Sequence, residues 1–304
     1  RSSQTRAQNR MEGINEWQIN ILTPDGLWPN LAAMKISAFH QSIGDEVFLN
    51  FPLIMADFVY ASILFSQTSD PAADLIGGPK YPESRLDPDI DTMKPDYSLY
   101  PKLDHSIGYT YKTCPRSCDF CVVPKQKNED RHYSIWTFHD ERFKKIGLLN
   151  NNMLADFHWR ESFHEIWDAK LTLVDLSGFD LRLMTEESAE YIARTRIQGQ
   201  IHVAWDFMEH EVEVLRGLNY LLSAGINISK ITCYVLMGYN TTEYEDIYRL
   251  RVLKDKNILA FAMPFKKEKF PPKFLRAINK PQVQRGLDMN GSTYEHITRQ
   301  VRRG

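Results

Sequence analysis

The sequence predicts an α/β protein in which a short α/β layer precedes six successive βα units. Strand-length apolar runs alternate with stretches of helical length, a pattern typical of a parallel sheet covered by helices. Six of the fifteen prolines lie between Pro71 and Pro101, and none lies between Lys125 and Met263, so a connector separates the two parts. Six βα units in a row predict a (β/α)6 partial TIM barrel with its active site at the carboxyl ends of the strands.

The segment before the connector has the pattern of a small, trimmed Rossmann-like α/β domain. Asn30 is expected to cap a helix that runs from Leu31 to about Ile43. Strands are predicted over residues 17–23, 45–50, 57–65 and 73–78. The predicted organisation of the chain is a flexible tail over 1–16, the α/β segment with its connector over 17–100, the barrel over 101–265, and a basic helical extension over 266–304.

Within the barrel, strand and helix patterns recur at regular spacing. Strands are predicted over 106–112, 145–150, 171–177, 201–207, 231–237 and 258–264. Helices are predicted, among others, over 186–195, 211–225 and 243–256.

Composition limits the classes of function. The chain has 304 residues, 43% hydrophobic and 25% charged, as in ordinary globular proteins. A formal net charge of −2 gives no global reason to expect nucleic acid or an anionic membrane as partner. No apolar run approaches the roughly 20 residues of a membrane helix, and the polar N-terminus lacks the pattern of a secretory signal. We therefore expect a cytoplasmic protein without a membrane partner.

The cysteines give the strongest functional signal. Three of the four fall in the stretch Cys114-Pro-Arg-Ser-Cys118-Asp-Phe-Cys121, after the first barrel strand, which indicates a metal site in a reducing compartment. Three thiolates can bind three irons of a cubane cluster, and with Cys233 more than a hundred residues away the fourth iron stays open. The alternative is a zinc site with a histidine, His105 or His132, as fourth ligand.

The C-x3-C-x2-C spacing after the first strand of a six-unit barrel resembles the signature of the radical S-adenosylmethionine (SAM) superfamily. The resemblance covers roughly residues 107–265. It implies one [4Fe–4S] cluster, bound by Cys114, Cys118 and Cys121, that cleaves SAM reductively to a 5′-deoxyadenosyl radical, which abstracts hydrogen from a substrate. It also implies an electron donor such as flavodoxin or ferredoxin. The substrate stays open between a small molecule, a peptide and RNA, and no further catalytic residue is identified.

The same resemblance implies a set of cofactor-binding residues along the chain. In that family the aromatic residue before the last cysteine and a glycine loop after the fifth strand lie near adenine, and polar residues after other strands contact the rest of SAM or face the cavity. The corresponding positions are Phe120, Asn150, Asn152, Ser177, Asp180, Arg182, Asp206, Gly238 and Tyr239. Structural interpretations stay open beside these: a turn at residues 150–152, a rim salt bridge between Asp180 and Arg182, and a capping box of Thr242 with Glu245.

Two other functions remain as alternatives. The segment before the barrel resembles the lead-in of radical SAM proteins that carry a cobalamin-binding domain, which would make the chain a cobalamin-dependent methyltransferase. It has no Asp-x-His-x-x-Gly motif, and its one candidate ligand, His40, has the pattern of a packing or surface residue, so cobalamin is not expected. The second alternative is a non-enzymatic iron–sulfur protein, an electron carrier or scaffold, which predicts four protein ligands to iron.

Overall fold

The computed structural model describes residues 16–26, 28–126, 128–174, 178–290 and 293–303. The chain divides into two compact units, one up to Gly147 and the other from Leu148 on. The predicted boundary at 100/101 thus lies inside the first unit. None of the helices in the described ranges is both long and apolar enough to cross a membrane.

Both units are mixed α/β. The strands are β1 Gln18–Leu22, β2 Glu46–Leu49, β3 Phe58–Ser62, β4 Leu75–Gly77, β5 Ser106–Gly108, β6 Lys145–Leu148, β7 Thr172–Val174, β8 Ile201–Ala204, β9 Ile231–Met237 and β10 Leu259–Pro264. The α-helices are α1 Leu31–Ser42, α2 Pro88–Asp91, α3 Trp159–Asp168, α4 Glu186–Arg194, α5 Glu211–Ser223, α6 Glu243–Asp255, α7 Pro272–Ile278, α8 Pro281–Gly286 and α9 Tyr294–Arg303. Each predicted strand contains an observed one, usually shorter by two to four residues.

The first unit begins with a parallel four-stranded sheet in the order β2-β1-β3-β4. Asn30 caps α1 as predicted, because its side chain accepts a hydrogen bond from the backbone N–H of Ala33 at 3.0 Å. The helix packs its apolar face on the sheet. The shared core consists of Ile19, Ile21, Ala33, Ile36, Tyr60 and Ile90.

The second half of this unit holds β5, all but the last residue of its neighbour β6, and the long connection between them. The strand predicted over 106–112 ends at Gly108, and the connection contains short 3-10 turns but no α-helix among its described residues. This departs from six complete βα units. Pro115 and Pro124 lie in the connection, and proline lacks the N–H that a helix interior needs.

The second unit holds a parallel sheet whose order follows the sequence. β8 pairs with β9 and β9 with β10, while parallel bridges from Leu173 to Ile197 and from Phe179 to Val203 align the β7 segment with β8. Helices α4, α5 and α6 make the connections. Consequently, the residues that follow β8 and β9 lie at the same edge of this sheet.

Candidate functional site

The cysteine loop in the first unit is closed at its base. Tyr111 and His132 form an antiparallel bridge, and Asn128 Nδ2 donates a hydrogen bond of 2.9 Å to the carbonyl oxygen of Lys112. Tyr111 also donates its hydroxyl hydrogen to Asp130 Oδ1 at 2.7 Å. The loop therefore leaves and rejoins the unit at one place, directly after β5.

The three cysteines of this loop are half-buried, and none of them forms a disulfide bond. The backbone N–H of Cys121 donates to the carbonyl oxygen of Cys118 at 2.9 Å, which forms a turn that contains the half-buried Phe120. Among the described residues, no three His, Cys, Asp or Glu side chains are gathered in the arrangement of a metal site. The fit to an iron–sulfur cluster therefore rests on the donor chemistry: three accessible thiols on one short loop suit a cubane with three thiolate ligands.

Cys233 lies apart from this donor set, inside β9 of the second unit, where its side chain is fully buried. Burial raises the pKa of its thiol, with the nearby Asp206 acting in the same direction. Because metals bind the thiolate form, a buried thiol held in its protonated state is a poor ligand.

His40 does not fit the role of a cobalt ligand. Its side chain is fully buried, with Nδ1 2.7 Å from Asp45 Oδ2 and Nε2 3.0 Å from the hydroxyl oxygen of Tyr60. Both ring nitrogens thus have hydrogen-bonding partners within the core. The arrangement agrees with the packing interpretation of this histidine.

In the second unit, three of the predicted residues form one polar cluster at the carboxyl edge of the sheet. Arg182 binds Asp180 with two parallel bonds, Nε to Oδ1 at 2.7 Å and Nη2 to Oδ2 at 2.9 Å. Asn152 Nδ2 donates to the same carboxylate at 3.3 Å. The salt-bridge interpretation of Asp180 and Arg182 is confirmed, and the bidentate geometry fixes the plane of the guanidinium.

Asp206 follows β8 and belongs to the same electrostatic environment. Burial raises the pKa of its carboxyl group above the usual value, and the charge of Asp180 adds to this. The charges of Arg182 and Arg249 act in the opposite direction without cancelling the effect of burial. The protonated form is therefore favoured more than in an exposed aspartate.

The loop after β9 carries Gly238 and Tyr239. Gly238 has φ +70°, a left-handed conformation that favours glycine, and a Cβ there would lie 2.9 Å from the ring of Phe270. The ring of Tyr239 packs at 4.7 Å from that of Phe265. After this loop, the backbone N–H of Thr242 donates to Glu245 Oε2 at 2.7 Å in a capping box, which confirms that interpretation.

A buried ion pair that the sequence analysis missed supports this edge of the sheet. Arg249 and Asp246 of α6 are both fully buried and lie 2.5 Å apart, Nη2 to Oδ1. Arg249 also donates to the carbonyl oxygens of Trp205, Asp206 and Leu236 at 2.7, 2.9 and 2.7 Å. One side chain thereby joins the segments that leave β8 and β9.

Asp246 performs the matching role on the loop after β9. Its carboxylate accepts from the backbone N–H of Gly238 at 2.9 Å and from Thr241 Oγ1 at 2.7 Å. The signal for this pair was in the sequence, since Asp246 and Arg249 occur at a spacing of three on the same helical stripe as Leu250 and Leu253. Charged residues within an apolar stripe indicate buried polar contacts.

The remaining predicted residues are less informative. Asn150 follows β6 and is buried, with 1% of its surface exposed. Ser177 lies outside the described residues. In the second unit the structure brings together Asn152, Asp180 and Arg182, and the ion pair of α6 connects Asp206 with Gly238.

Comparison with known proteins finds no protein-family model that matches the chain, and no curated protein matches it.

Proposed function

We propose that this protein is a radical SAM enzyme that uses a single [4Fe–4S] cluster. The observation that carries the proposal is the C-x3-C-x2-C spacing on a loop that directly follows β5 and is closed at its base by Asn128 and Lys112. Three cysteines on that loop, none of them in a disulfide bond, favour a donor set that leaves one iron open, because Cys233 is buried elsewhere. A zinc site prefers four closed ligands, which the loop cysteines alone do not supply.

In this proposal Cys114, Cys118 and Cys121 hold the cluster as thiolates. The bound cluster would pass one electron, taken from the electron donor, to SAM, and this would supply the reductive cleavage of SAM to methionine and a 5′-deoxyadenosyl radical that abstracts hydrogen from the substrate. Phe120 offers an apolar face to the adenine ring. A cluster of this kind requires a reducing compartment, so we place the protein in the cytoplasm with flavodoxin or ferredoxin as electron donor.

The strand-end residues of the second unit position polar groups of the ligand. Arg182 offers its guanidinium to a carboxylate of a ligand, and Asp180 holds that guanidinium in a fixed plane. The buried pair of Arg249 and Asp246 fixes the backbone that carries Asp206 and Gly238.

Cluster loading tests the ligand assignment first. Protein reconstituted anaerobically with iron and sulfide should bind about four irons per chain, because three thiolates and one open position suit a cubane. Cys118→Ala should lose this iron. Cys233→Ala is the matched control, one thiol removed elsewhere, and should keep it. Full iron loading in Cys118→Ala would contradict the assignment of the loop.

The chemistry is tested separately, by quantifying 5′-deoxyadenosine with mass spectrometry after the loaded protein is reduced with dithionite in the presence of SAM. We expect slow formation of 5′-deoxyadenosine without any substrate, and none with the triple Cys→Ala variant. If a four-iron cluster forms but SAM neither changes its electron paramagnetic resonance signal nor is cleaved, the electron-carrier alternative replaces the enzyme.

A further inference from the structure

The first unit contains a cavity of about 610 Å³ that has no part in the proposed cluster chemistry. Four stretches of chain form its wall: the start of α1, residues 85–92, residues 108–112 after β5, and residues 128–138. The volume lies within the roughly 300–1,000 Å³ of small-molecule sites. None of the described residues that line it is a cysteine.

The charged side chains of the wall give it a positive balance. Four are basic and two are acidic: Lys35, Arg85, Lys112 and Arg131 against Asp91 and Glu129. Asp91 lies between two of the bases, with its carboxylate oxygens 3.0 Å from Lys35 Nζ and 2.8 Å from Lys112 Nζ. One carboxylate between two ammonium groups leaves one net positive charge at that point. The two arginines of the wall and Glu129 together leave a second net positive charge.

Burial shapes how these charges behave. It lowers the pKa of Lys35 below the ordinary value, although Asp91 acts in the opposite direction. An anion brought into the cavity would stabilise the charged form of this lysine. Arg85 and Arg131 are exposed on the same wall, where their guanidinium groups can reach a ligand.

Flat rings form much of the remaining wall. Tyr109, Tyr133 and Phe138 line it, and the cationic ends of Lys112 and Arg131 lie 5.2 and 5.4 Å from the ring centre of Tyr133. Aromatic faces of this kind stack on planar groups, and cations beside them attract anions.

From this combination we infer that the cavity binds a small organic anion in which a phosphate or carboxylate is attached to a planar ring. The anionic group lies among Lys35, Lys112 and the two arginines, and the ring lies against Tyr109 and Tyr133. The inference goes beyond the proposed function and does not depend on it, because the site is complete without the cysteines.

The test is isothermal titration calorimetry of the full chain with phenyl phosphate, a small probe that carries both features. Phenyl phosphate and benzoate should bind more tightly than inorganic phosphate, which lacks the ring, and than phenol, which lacks the charge. This order supports the inference. Equal affinity for phenyl phosphate and inorganic phosphate, or no binding of either ring-bearing anion, overturns it.

Variants locate the binding. Arg85→Gln and Arg131→Gln should each weaken phenyl phosphate about tenfold, the effect of one lost charge-assisted hydrogen bond. Arg142→Gln is the matched control, since Arg142 is an exposed arginine of the same unit outside the cavity wall. The affinity of this variant for phenyl phosphate should equal that of the wild type. Affinities that are the same in all three variants would place the binding elsewhere and overturn the inference.

Two further measurements separate this site from the proposed cluster site. Cys118→Ala should bind phenyl phosphate as the wild type does, whether or not the wild type cleaves SAM. Phenyl phosphate should also bind undiminished in the presence of saturating SAM. Loss of binding in either case shows that the ligand occupies a cluster or SAM position, and the separate site is then refuted.

Discussion

Removal of the Asp246 carboxylate is the change that the second unit should tolerate least. The side chain accepts hydrogen bonds from Gly238 N, Thr241 Oγ1 and Arg249 Nη2 at 2.9, 2.7 and 2.5 Å, and from the hydroxyl group of Tyr294. Asp246→Ala breaks all four contacts at once. It also leaves the fully buried guanidinium of Arg249 without its counter-charge.

The expected loss follows from the burial of both partners. Breaking a buried ion pair by removing one partner costs about 3–5 kcal/mol, because the remaining charge stays desolvated. Domains of this kind have free energies of unfolding of about 5–15 kcal/mol, so the loss is a large share of the total. For a unit of this size it corresponds to a fall in Tm of about 6–20 °C.

The assay is urea unfolding followed by tryptophan fluorescence, since the carbonyl oxygen of the fully buried Trp205 accepts a hydrogen bond from Arg249. Hydrogen-exchange mass spectrometry of the peptides that contain β8 and β9 locates the loss in the second unit. The matched control is Asp255→Ala, which removes an exposed acid from the same helix and should change the free energy of unfolding by less than about 0.5 kcal/mol.

A double variant distinguishes loss of the pair from loss of packing. Replacing both partners with apolar residues, Asp246→Leu with Arg249→Met, removes the buried charge and should destabilise far less than the sum of the single variants. If Asp246→Ala is no less stable than Asp255→Ala, the buried ion pair does not stabilise this edge of the sheet, and its expected contribution to the free energy of unfolding is refuted.

Three further predictions concern single side chains. Asp206→Asn should be more stable than the wild type at pH 7, because burial raises the pKa of the native carboxyl and penalises its ionised form. The gain in stability should shrink as the pH falls towards about 4. A difference in urea midpoint that stays constant with pH would contradict this. Burial lowers the pKa of His139, so the wild type should lose stability as the pH falls through about 6.5, where the histidine of the unfolded chain takes up a proton. Thermal melts over the same pH range should show a smaller loss of stability for His139→Gln. Gly108→Ala should lower the free energy of unfolding by about 1–3 kcal/mol, because the added Cβ would lie 2.2 Å from the buried ring of Phe138. The control is Gly286→Ala, whose Cβ would have nothing within 4 Å. It should be neutral or slightly stabilising in the same denaturant titration.

Features that depend on neighbours in the sequence were predicted well. The helix capped by Asn30 was placed within one residue at each end, because the cap and the apolar repeat are both local. The ends of strands β9 and β10 were also predicted within one residue. Their long apolar runs contain β-branched and aromatic residues, which favour strand over helix, and a glycine or an asparagine lies at one end of each run. The cysteine spacing is also a local feature, and the assignment of Cys114, Cys118 and Cys121 as cluster ligands stays a prediction.

Features that depend on distant residues were harder. The antiparallel bridge between Tyr111 and His132 pairs segments about twenty residues apart, and no pattern in either segment indicates the pairing. The burial of Arg249 depends on three carbonyl oxygens, two from the segment after β8 and one from β9, so the residues close to it in the sequence do not predict it. The raised pKa of Asp206 depends on the same burial and could not be predicted from its position after a strand.

The strand-end cluster of the second unit has an electrostatic consequence that links these observations. Asp180 is paired with Arg182, and Asp246 is paired with Arg249, so each arginine already has one carboxylate partner. Asp206 lies near both arginines, and it is the acid whose ionised form burial penalises. An anionic ligand group that reaches Arg182 would further favour the protonated form of Asp206, since like charges repel in a medium of low dielectric constant. A carboxylate at this position therefore binds together with a proton on Asp206, and its affinity for the wild type should fall as the pH rises, whereas its affinity for Asp206→Asn should not.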